Sequence, residues 1–417
     1  MKRTNIDLAV IGSGPAGLAA AVAARQQGIR DVVVFERDER PGGILPQCIH
    51  NGFGLEKFQE ELTGPEYANR YIKMARECGV DIELDTMVLD LDQHRSLTAV
   101  SASRGLRTYG CKAVILAMGC RERPRGAIGI PGTRPAGIFT AGQAQRLINI
   151  EGYMPGQRVV ILGSGDIGMI MARRLTLEGA QVIGVVEILP YTSGLIRNEV
   201  QCLHDFDIPL LLNHTVAEIH GPNRVEGVTI AEVDSAWNPI HGTDQTMECD
   251  TLLLSVGLIP ENELSRMAGV TIDPKTGGPY VNEFLETDVA GIFSCGNVLH
   301  VNDLVDNVST EGEIAANGAF LRIKGKMPET GRRISLVTDE ATIRQVTPQY
   351  ISGTRDTTFY LRVARPMGRM KIGLGDYHEK KYPYARPSEM LWFTVPGKVL
   401  RRIDASVSEV RIFCEER

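Results

Sequence analysis

The sequence lacks the features that mark membrane, secreted and nucleic-acid-binding proteins. Its 417 residues contain no apolar run approaching the roughly 20 residues that a membrane-spanning helix needs. The first apolar segment begins so close to Met1 that a secretory signal peptide does not fit before it. The formal net charge of −6 provides no basic surface for nucleic acid or anionic lipid. We therefore expect a cytoplasmic protein without a nucleic-acid partner or a transmembrane segment.

Paired cysteines and metal-binding clusters are also missing from the sequence. The eight cysteines are scattered and form no Cys-x-x-Cys motif, which is typical of reduced thiols rather than of a disulfide framework. The histidines lack the regular spacing of metal ligands. We therefore expect no metal site.

Glycine, in contrast, is abundant, and one glycine-rich pattern occurs twice. Its first copy, Gly-Ser-Gly-Pro-Ala-Gly at 12–17, follows an apolar strand predicted at 7–11 and precedes an alanine-rich helix. In such a unit Gly12 permits a tight turn, Gly14 lets the backbone approach a pyrophosphate, and Gly17 lets the helix pack closely on the strand. The helix N-terminus adds N–H groups and a positive dipole end. The copy therefore predicts a nucleotide-binding turn.

A carboxylate completes each copy. The strand predicted at 31–35 ends at Glu36, which is placed to accept hydrogen bonds from both hydroxyls of an adenosine ribose. The second copy, Gly-Ser-Gly-Asp-Ile-Gly at 163–168, follows a strand predicted at 158–162, and its acid is Glu187. The first glycine and the acid are 24 positions apart in both copies. One such motif is weak evidence, because glycine-rich turns also serve as plain connections, but two in register predict two dinucleotide sites.

The segments that follow the two motifs also correspond. Each motif is followed by alternating segments typical of antiparallel strands and then by an apolar strand, which ends at Gly119 in the first half and at Gly257 in the second. This pattern indicates an internal duplication of a Rossmann-like half with an inserted antiparallel meander. After residue 326, short alternating segments such as 357–363 and 389–395 predict strands separated by proline and glycine.

We therefore predict an α/β fold with two Rossmann-like three-layer ββα dinucleotide-binding domains and a small C-terminal β-rich domain. The first dinucleotide domain is discontinuous and comprises residues 1–152 and 258–326. The second, residues 153–257, is inserted into it, and the β-rich domain comprises residues 327–417.

Three further motifs carry a family resemblance. They are Pro-Gly-Gly at 41–43, Ala-Met-Gly at 117–119 and Gly-Ile-Phe-Ser-Cys-Gly-Asn at 291–297. Together with the two glycine motifs they resemble the two-dinucleotide flavoprotein reductases, in which the first site holds FAD and the inserted second site holds a nicotinamide nucleotide. The last motif usually ends in aspartate in that family and ends here in Asn297, whose amide can still hydrogen-bond a flavin ribityl hydroxyl.

The resemblance implies a set of cofactor-binding residues. For FAD they are Gly12, Gly14, Pro15, Ala16, Gly17, Glu36, Arg37, Gly42, Gly43, Ala117, Gly119, Gly296, Asn297, Ser309 and Thr310. For NAD they are Gly163, Gly165, Asp166, Ile167, Gly168, Glu187 and Gly257.

Three of these assignments carry more specific expectations. Glu187 favours NAD(H), because a carboxylate repels the 2′-phosphate of NADP(H); the alternative is that Arg197 folds back to bind that phosphate. Asp166 is an acid inside the pyrophosphate turn, and we expect its side chain to point outward. A helix is predicted from Ser309 to Arg322, with Ser309 as its N-cap and its positive end towards the flavin; the alternative is an ordinary surface helix.

Three residues are candidates for a chemical role. Cys48 and His50 follow the second glycine motif, and His300 follows the third. Each is a candidate to tune the flavin or relay a proton, and the alternative is that each only packs in the FAD pocket. The redox cysteine pair that disulfide reductases of the superfamily carry is not found in the sequence, so we expect an enzyme that is not a disulfide reductase.

The motif-bearing segments also suggest a narrower resemblance. Segments 42–54, 61–72, 163–179 and 295–309 are similar to the FAD/NAD oxidoreductase subunit that accompanies a glycerol-3-phosphate dehydrogenase-like flavoprotein, and to related subunits of opine, proline and cyanide-forming oxidases. This implies an FAD-dependent NAD(H) oxidoreductase that passes electrons between NAD and a partner dehydrogenase flavoprotein, with a small cysteine-rich electron-transfer protein as a candidate third component. The alternatives are a self-sufficient NADH oxidase or NADH:acceptor reductase, and a non-catalytic flavin-stabilised scaffold or redox sensor.

The C-terminal region is a candidate for docking the partner. Seven basic residues there are candidates to face an acidic partner protein, and the alternative is a solvated surface. They are Arg365, Arg369, Lys371, Lys380, Lys381, Arg386 and Lys398.

Overall fold

The computed structural model describes residues 3–328 and 332–416. Its α-helices are α1 (Pro15–Gln26), α2 (Gly64–Glu77), α3 (Arg125–Ile128), α4 (Ala141–Asn149), α5 (Asp166–Leu177), α6 (Ile196–Cys202), α7 (Glu263–Met267), α8 (Val305–Ile323) and α9 (Gly397–Leu400). Among the described residues, none of the helices has both the length and the apolar composition required to cross a bilayer.

The strands fall into three groups along the chain. The first group is β1 (Arg3–Ile11), β2 (Val32–Phe35), β3 (Asn51–Phe53), β4 (Leu62–Thr63), β5 (Asp81–Glu83), β6 (Thr86–Leu91), β7 (Ser96–Ser101), β8 (Gly105–Leu116) and β9 (Cys120–Glu122). The second is β10 (Ile138–Thr140), β11 (Arg158–Leu162), β12 (Gln181–Glu187), β13 (Leu210–Leu212), β14 (His214–His220), β15 (Gly227–Glu232), β16 (Gln245–Glu248), β17 (Thr251–Leu254) and β18 (Leu258–Pro260). The third is β19 (Ile292–Ser294), β20 (Ile334–Thr338), β21 (Ile343–Thr347), β22 (Tyr350–Ile351), β23 (Thr357–Val363), β24 (Met370–Leu374), β25 (His378–Tyr382), β26 (Leu391–Val395) and β27 (Glu409–Glu416).

The chain forms two compact units, Met1–Cys120 with Pro260–Arg417, and Arg121–Ile259. The main sheet of the first unit has the order β5-β2-β1-β8-β7-β6, and β19 also pairs with β8. Strands β5, β2, β1, β8 and β19 run parallel, whereas β7 and β6 continue the sheet as an antiparallel meander. This arrangement is an α/β sheet with the meander inserted before the strand that leads to Ala117.

Side chains of β1 alternate between the two faces of this sheet. Leu8 and Val10 pack in the core beneath the small residues of α1 and α8, whereas Ala9 and Ile11 pack with the meander. The two helices approach closely, because a Cβ on Gly312 of α8 would lie only 2.3 Å from the carbonyl oxygen of Ala16. Helices α1 and α8 therefore pack tightly against each other in the first unit.

The second unit repeats this plan. Its parallel sheet has the order β10-β17-β11-β12-β13, and a separate antiparallel meander has the order β14-β15-β16. Val159 and Ile161 of β11 pack against α4 and α5, whereas Val160 and Leu162 pack with residues of the meander. The predicted fold class, two Rossmann-like dinucleotide domains with an additional β-rich region, is confirmed.

The boundary of the inserted unit lies earlier than residue 153, where the sequence places it. The second unit begins at Arg121 and ends at Ile259. Strand β10 pairs in parallel with β17 and supplies an outer strand of the second sheet, and Ala141 and Ala144 of α4 are buried in its core. Residues 121–152 carry weak strand signals of their own, so the sequence did not reveal that this segment completes the second sheet.

The C-terminal β-rich region belongs to the first compact unit. It contains a five-stranded sheet, β22-β20-β27-β24-β25, and a three-stranded sheet, β21-β23-β26. Both sheets share a core that includes Phe359, Phe393 and Ile412. The strand predicted at 357–363 has those bounds in the structure, and the strand predicted at 389–395 begins two residues later, at Leu391.

The seven basic residues of this region do not form one uniform basic face. Arg365 pairs with Glu416, and Lys371 pairs with both Glu379 and Glu415. The ammonium group of Lys380 lies 4.2 Å from the centre of the Trp392 ring. Two of the seven charges are therefore paired with acids of the same domain, and a third lies against an aromatic ring.

Candidate functional site

The first glycine turn lies between β1 and α1. Gly12 has a φ of +101°, and a Cβ there would lie 2.5 Å from the carbonyl oxygen of Ala117. A Cβ on Gly17 would lie 1.9 Å from the carbonyl oxygen of Gly12. These two glycines are therefore required by the fold itself. Helix α1 begins at Pro15, and its N-cap Gly14 offers no side-chain cap, so the first-turn N–H groups are available to an anion.

The second glycine of this turn is different, because the protein leaves room beside it. Gly14 has a φ of −68°, which any residue adopts, and a Cβ there would meet Gly43 Cα at 4.0 Å, an ordinary contact. The fold therefore does not demand glycine at position 14. The remaining reason for a missing side chain is a ligand that approaches the backbone, which is the role expected for the pyrophosphate of FAD.

Glu36 closes the turn from the end of β2. The backbone N–H and the hydroxyl of Ser13 donate to Glu36 Oε2 at 2.9 and 2.6 Å, and the N–H of Asp38 donates to Oε1 at 2.9 Å. The carboxylate is buried, with 6% exposure. Ser13 was missed by the sequence analysis, although the serine recurs in both glycine motifs.

The second glycine turn reproduces this geometry in the other unit. Gly163 has a φ of +99°, and a Cβ there would lie 2.2 Å from the carbonyl oxygen of Ser255. A Cβ on Gly168 would lie 2.6 Å from the carbonyl oxygen of Gly163. Gly165 has a φ of −62°, and its nearest neighbour would be the movable Ser255 hydroxyl at 3.3 Å. Again the first and third glycines serve the fold, and the second one fits a ligand.

Glu187 accepts four hydrogen bonds, whereas Glu36 accepts three. Ser164 donates to Glu187 Oε2 from its backbone N–H at 2.9 Å and from its hydroxyl at 2.5 Å, and the Leu189 N–H donates to Oε1 at 3.0 Å. A fourth donor, the hydroxyl of Ser193, lies 2.9 Å from Oε2. A carboxylate has about four lone-pair sites, so a ribose hydroxyl that binds Glu187 would replace the Ser193 hydroxyl.

The side chain of Asp166 is turned towards the start of α6. Its Oδ1 accepts hydrogen bonds from the N–H of Leu195 at 2.8 Å and from the side-chain amide of Asn198 at 2.6 Å. The acid therefore anchors the loop that also carries Ser193. Ile167 is half-buried in the first turn of α5, and Arg197 is exposed beside Asn198 on α6.

The Gly-Gly motif folds back over the first turn. The N–H of Gly42 donates to the carbonyl oxygen of Ser13 at 3.0 Å, and a Cβ on Gly43 would lie 2.9 Å from Gly14 Cα. Arg37, which precedes this motif, is exposed. The motif therefore borders the uncrowded face of Gly14, where FAD is predicted.

The two small-residue turns after β8 and β17 are positioned by backbone hydrogen bonds. Ala117 donates to the carbonyl oxygen of Ile11 at 2.9 Å, and Gly119 has a φ of +74° with open space where a Cβ would lie. In the other unit, the carbonyl oxygen of Gly257 accepts from the Arg123 N–H at 3.0 Å. Ala117 and Gly119 thus follow the strand beside β1, as the FAD prediction requires.

The third motif joins the first turn to α8. A Cβ on Gly296 would lie 2.8 Å from Ala16 Cβ, so this glycine packs against the start of α1. Asn297 Oδ1 accepts from the N–H of Asn302 at 3.0 Å, and its amide nitrogen lies 3.6 Å from Cys120 Sγ. The amide that replaces the family's aspartate is therefore held by its own loop.

The predicted start of the last helix at Ser309 is wrong. Helix α8 begins at Val305, with Leu304 as an N-cap that provides no side-chain hydrogen bond. The Ser309 hydroxyl lies 2.8 Å from the Tyr67 hydroxyl, and the Thr310 hydroxyl donates to the carbonyl oxygen of Asp306 at 2.9 Å. Both residues lie in the second turn, where their hydroxyls are engaged by neighbours, so the N-terminal end of the helix is formed by residues that precede them.

Several buried polar atoms around this helix start have no partner among the described residues. They are Ser294 Oγ, Asn302 Oδ1 and Asp306 Oδ1. The other Asp306 oxygen accepts from the Glu56 N–H at 3.1 Å. An unsatisfied buried polar atom costs about 1–3 kcal/mol, so such a cluster is expected where a polar ligand completes the structure. Together with the uncrowded Gly14, these atoms fit the binding of FAD in this unit.

Cys48 and His50 lie beside the Gly-Gly motif. Burial raises the pKa of the Cys48 thiol to about 12, and its Sγ lies 3.5 Å from the carbonyl oxygen of Ile44. His50 Nδ1 lies 3.1 Å from the carbonyl oxygen of Asn51. A thiol with a raised pKa carries little thiolate at neutral pH, which disfavours a nucleophilic role for Cys48.

This thiol provides a direct test. Because its pKa is raised, the reactive thiolate is scarce at pH 8 and grows about tenfold for each further pH unit until the pKa is reached. We expect iodoacetamide to alkylate Cys48 at pH 8 at least about 100-fold more slowly than N-acetylcysteine, as followed by mass spectrometry of the Cys48 peptide. The Cys48→Ser variant identifies that peptide. Rapid alkylation that levels off below pH 8 would show instead that the thiolate is stabilised.

His300 is the third chemical candidate, and the structure gives it a neighbour that the sequence did not reveal. Its Nε2 lies 2.7 Å from Glu311 Oε1, and each side chain is only 1% exposed. Glu311 Oε2 in turn accepts from the Gly296 N–H at 2.7 Å. His300 is therefore linked through one carboxylate to the third motif. In the described parts of the chain, no cluster of three or more histidine, cysteine or acidic side chains has the arrangement of a metal site.

Comparison with known proteins agrees with this geometry. An opine oxidase subunit from Agrobacterium tumefaciens is 26% identical over 340 residues, which are 76% of this chain and 66% of that protein. The hydrogen cyanide synthase protein HcnB of Pseudomonas protegens is 27% identical over 281 residues, which are 63% of this chain and 58% of that protein. The chain thus spans less than two thirds of the length of both relatives.

A solved structure shows the same fold. Thioredoxin reductase of T. acidophilum superposes with a TM-score of 0.64 at 22% identity and covers 78% of this chain and all of its own length. The family model described as "Pyridine nucleotide-disulphide oxidoreductase" matches residues 6–313, which include both glycine turns and the third motif. This family binds FAD and NAD(P). The chain belongs to the pyridine nucleotide-disulphide oxidoreductase family.

Proposed function

We propose that this protein is an FAD-dependent NAD(H) oxidoreductase that acts as the electron-transfer subunit of a heteromeric dehydrogenase. The observation that carries the proposal is the repeated turn, one copy in each unit, whose second glycine the fold leaves uncrowded. Each copy also has an acid, Glu36 or Glu187, fixed at the end of the next strand. Two such sites in one chain suit a flavin and a nicotinamide nucleotide.

The residues of the chain bind and orient the two nucleotides. FAD, when bound, supplies hydride exchange with the nicotinamide and electron transfer to another carrier. The N-termini of α1 and α5 offer N–H groups and a positive dipole end to the two pyrophosphates. Glu36 and Glu187 are placed for the adenosine riboses, because each carboxylate is fixed by the serine of its own turn. Helix α8 adds a second positive end in the FAD unit.

We propose NAD(H) as the nicotinamide nucleotide, because Glu187 is an acid at the ribose position. Its negative charge repels a 2′-phosphate, and the loop that follows it donates to Glu187 from Ser193 and to Asp166 from Leu195. Arg197 is the cation that favours the alternative, since it is exposed at the start of α6. The Glu187 carboxylate is held beside the turn by Ser164, which supports NAD(H) over NADP(H).

Glu187→Gln tests this choice. The amide keeps an acceptor oxygen but removes the charge, so we expect the ratio of the NADPH and NADH dissociation constants to shift by about 10- to 100-fold towards NADPH, as charged hydrogen bonds contribute about 1.5–3 kcal/mol. Anaerobic titration calorimetry on the protein with its flavin already reduced measures both constants, because neither nucleotide can then be oxidised by the flavin.

The duplicated fold provides the matched control. Glu36→Gln alters the equivalent acid in the other unit and is expected to leave the nucleotide ratio unchanged. Ser193→Ala removes the hydroxyl that competes with the ribose while keeping the Glu187 charge, so NADH affinity should stay the same or rise. An unchanged ratio in Glu187→Gln would contradict the role of this carboxylate.

The partner is proposed from the relatives and the motifs. The opine oxidase and hydrogen cyanide synthase relatives are, by their names, subunits of larger enzymes. We propose that this chain likewise passes electrons between its FAD and a partner flavoprotein, of the glycerol-3-phosphate dehydrogenase type, with a small cysteine-rich protein as a candidate intermediate carrier. The C-terminal β-rich region, which carries no part of the two turns, is proposed to dock the partner.

Turnover by the isolated chain separates the proposal from its alternatives. An electron-transfer subunit is expected to accept electrons rapidly from NADH yet oxidise NADH slowly in air or with a quinone. Fast steady turnover would favour a self-sufficient NADH oxidase or NADH:acceptor reductase. A correctly loaded flavin that NADH leaves oxidised would favour a scaffold or redox sensor.

We further propose that disulfides are not the substrate, although the chain shares its fold with thioredoxin reductase. The support is chemical: the sequence has no Cys-x-x-Cys motif, and burial raises the pKa of Cys48, Cys249 and Cys295. Reduction of a disulfide requires a thiolate nucleophile. Reduction of thioredoxin or of a small aromatic disulfide by NADH, catalysed by the loaded protein, would contradict this part of the proposal.

A further inference from the structure

His300 and Glu311 form a buried acid–base pair that the proposed electron path does not use. Their nearest atoms, Nε2 and Oε1, are 2.7 Å apart, and each side chain is 1% exposed. The pair is tied to the flavin motif by the Gly296 N–H, which donates to Glu311 Oε2, and to the following loop by the Asn302 amide, which lies 3.3 Å from Oε1. The pair therefore joins the loop after the third motif to α8, which carries Glu311.

The pair is energetically expensive in its present form. Despite the short distance, neither ring nitrogen of His300 makes an aligned hydrogen bond with any described residue. A buried polar atom without a hydrogen bond lowers the stability of the fold, and a buried charge without a well-aligned partner lowers it further. Two apolar side chains of similar size would fill the same space without this cost. The two ionisable groups therefore lower the stability of the fold relative to an apolar pair.

Other ionisable groups surround the pair without neutralising it. Tyr360 of β23 packs on His300 with ring centres 5.8 Å apart, and burial, followed by the charge of Glu311, raises its pKa. Burial and Glu311 also raise the pKa of Cys295. The charged groups of the neighbouring segments are Glu283, Arg355 and Asp356, which line a cavity with Glu311, Glu56, which acts on Tyr360, and Asp303, Asp306 and Arg362 of the adjoining loops and strand.

The nearest cations are already engaged elsewhere. Arg362 pairs with Asp303, and Arg355 lies over the ring of Phe284 at 5.0 Å from its centre. Glu311 thus has His300 as its closest basic neighbour.

A small cavity borders the Glu311 side of the pair, and Glu283 and Asp356 also line it. Its volume is about 50 Å³, and its lining includes Glu311, Tyr360, Thr347 and Arg355. The hydroxyl of Thr347 is buried without a hydrogen-bond partner among the described residues. A polar cavity of this size can hold a water molecule, and the orphan hydroxyl and the Glu311 carboxylate are the partners such a water needs. This water would carry protons between the pair and the outer acids.

We propose that His300 and Glu311 form a buried proton-binding pair that takes up one solvent proton when the neighbouring FAD is reduced and releases it when the FAD is reoxidised. The inference rests on the proposed FAD site in the same unit. A hydride transferred from NADH carries two electrons and its own proton, so the reduced cofactor gains one negative charge. The proton that enters the pair through the cavity balances that charge, and no bond to the cofactor forms or breaks at the pair.

The test is the pH dependence of the flavin reduction potential. The loaded full-length chain is titrated between pH 5.5 and 9 with a reductant that does not use a pyridine nucleotide. The absorbance of the reduced flavin is recorded at each pH, so that protonation of the flavin itself is counted separately. For a two-electron couple, each linked proton changes the potential by about 30 mV for each tenfold change in proton concentration.

We expect the wild-type chain to bind up to one proton more per reduced flavin than the flavin accounts for, over part of this pH range. His300→Asn and Glu311→Gln should each lose that additional proton. Glu313→Gln is the matched control, since Glu313 lies on the same helix but is 39% exposed and pairs with Lys57, and it should retain the additional proton.

The pH dependence of the wild-type reduction potential is sufficient to contradict the proposal, even if a variant folds poorly. If its pH dependence is fully explained by the flavin's own protonation, or if the His300→Asn and Glu311→Gln proteins keep the additional proton, the pair is structural. A chain that binds no FAD would instead contradict the proposed function, and a flavin that titrates normally but is not reduced by NADH would contradict only its nicotinamide part.

Discussion

Gly165→Ala is expected to leave FAD in place and to abolish efficient reduction of that FAD by NADH. The second turn accommodates a methyl group at this position after a small shift of the Ser255 hydroxyl, which lies 3.3 Å from the added Cβ and accepts from the Gly168 N–H, because φ is −62°. A pyrophosphate lying against Gly165 would not tolerate it. Overpacking costs about 1–3 kcal/mol, so NADH binding should weaken by about 10- to 100-fold. Stopped-flow bleaching of the flavin across a range of NADH concentrations measures this loss.

Two controls show whether the effect of Gly165→Ala is confined to the second turn. A pyridine-nucleotide-independent reductant should still bleach its flavin fully, which would show that the FAD site is intact. Gly126→Ala, in α3 of the same unit, has no atom within 4 Å of the added Cβ and should behave as wild type. NADH-dependent bleaching of Gly165→Ala at the wild-type rate would mean that the second turn does not hold the nicotinamide nucleotide.

Gly14→Ala is expected to have the opposite effect, with the chain folded but poor in FAD. A Cβ at position 14 would lie 4.0 Å from Gly43 Cα, so the protein itself has room for it. Alanine is a poorer N-cap than glycine but lowers the entropy of the unfolded chain, and these terms nearly offset, so the free energy of unfolding should change by no more than about 1 kcal/mol. FAD affinity should fall by about 10- to 100-fold, because the methyl group occupies the approach of the pyrophosphate.

Flavin content, the FAD dissociation constant and urea unfolding of the flavin-free chain measure these effects. Gly17→Ala serves as the contrasting variant. Its Cβ would lie 1.9 Å from the Gly12 carbonyl oxygen, so α1 must move and the fold should be damaged whether or not FAD is present. If Gly14→Ala bound FAD as tightly as wild type, the uncrowded side of this turn would not be the pyrophosphate site.

The sequence predicted the elements whose signals are local. Strand β11 (Arg158–Leu162) and strand β23 (Thr357–Val363) have the predicted bounds, because apolar runs and strict alternation report strands directly. The alanine-rich helix, for which the sequence predicts residues 15–27, ends at Gln26 in the structure. The duplicated turns were found for the same reason, since a tight turn that requires glycine leaves its mark at fixed spacing.

Features that depend on distant residues were missed. The serine at 309 is a good N-cap by type, but its hydroxyl is engaged by Tyr67, 242 positions away, and α8 begins earlier without any side-chain cap. The outer strand β10 belongs to the second unit only because it pairs with β17. The contact between His300 and Glu311 likewise arises because a loop folds back on α8, and no periodicity in the sequence predicts it.

The candidate site itself was predicted in outline and refined by contacts. The sequence identified Glu36 and Glu187 but not the serines that hold them, although Gly-Ser-Gly opens both motifs. Asp166 is an unexpected acid beside a pyrophosphate, and the structure accounts for it by two hydrogen bonds, one from the Leu195 N–H before α6 and one from the Asn198 amide within α6. Such roles follow from the folded path of the chain, which spacing along the sequence does not determine.

The most direct test of the proposed function is an anaerobic titration of the purified, flavin-loaded protein with NADH and separately with NADPH, followed by the absorbance of oxidised flavin. The account predicts one equivalent of NADH per flavin for full bleaching, and a rate much faster than with NADPH. A flavin that remains oxidised in excess NADH would contradict the proposed transfer between the two nucleotides.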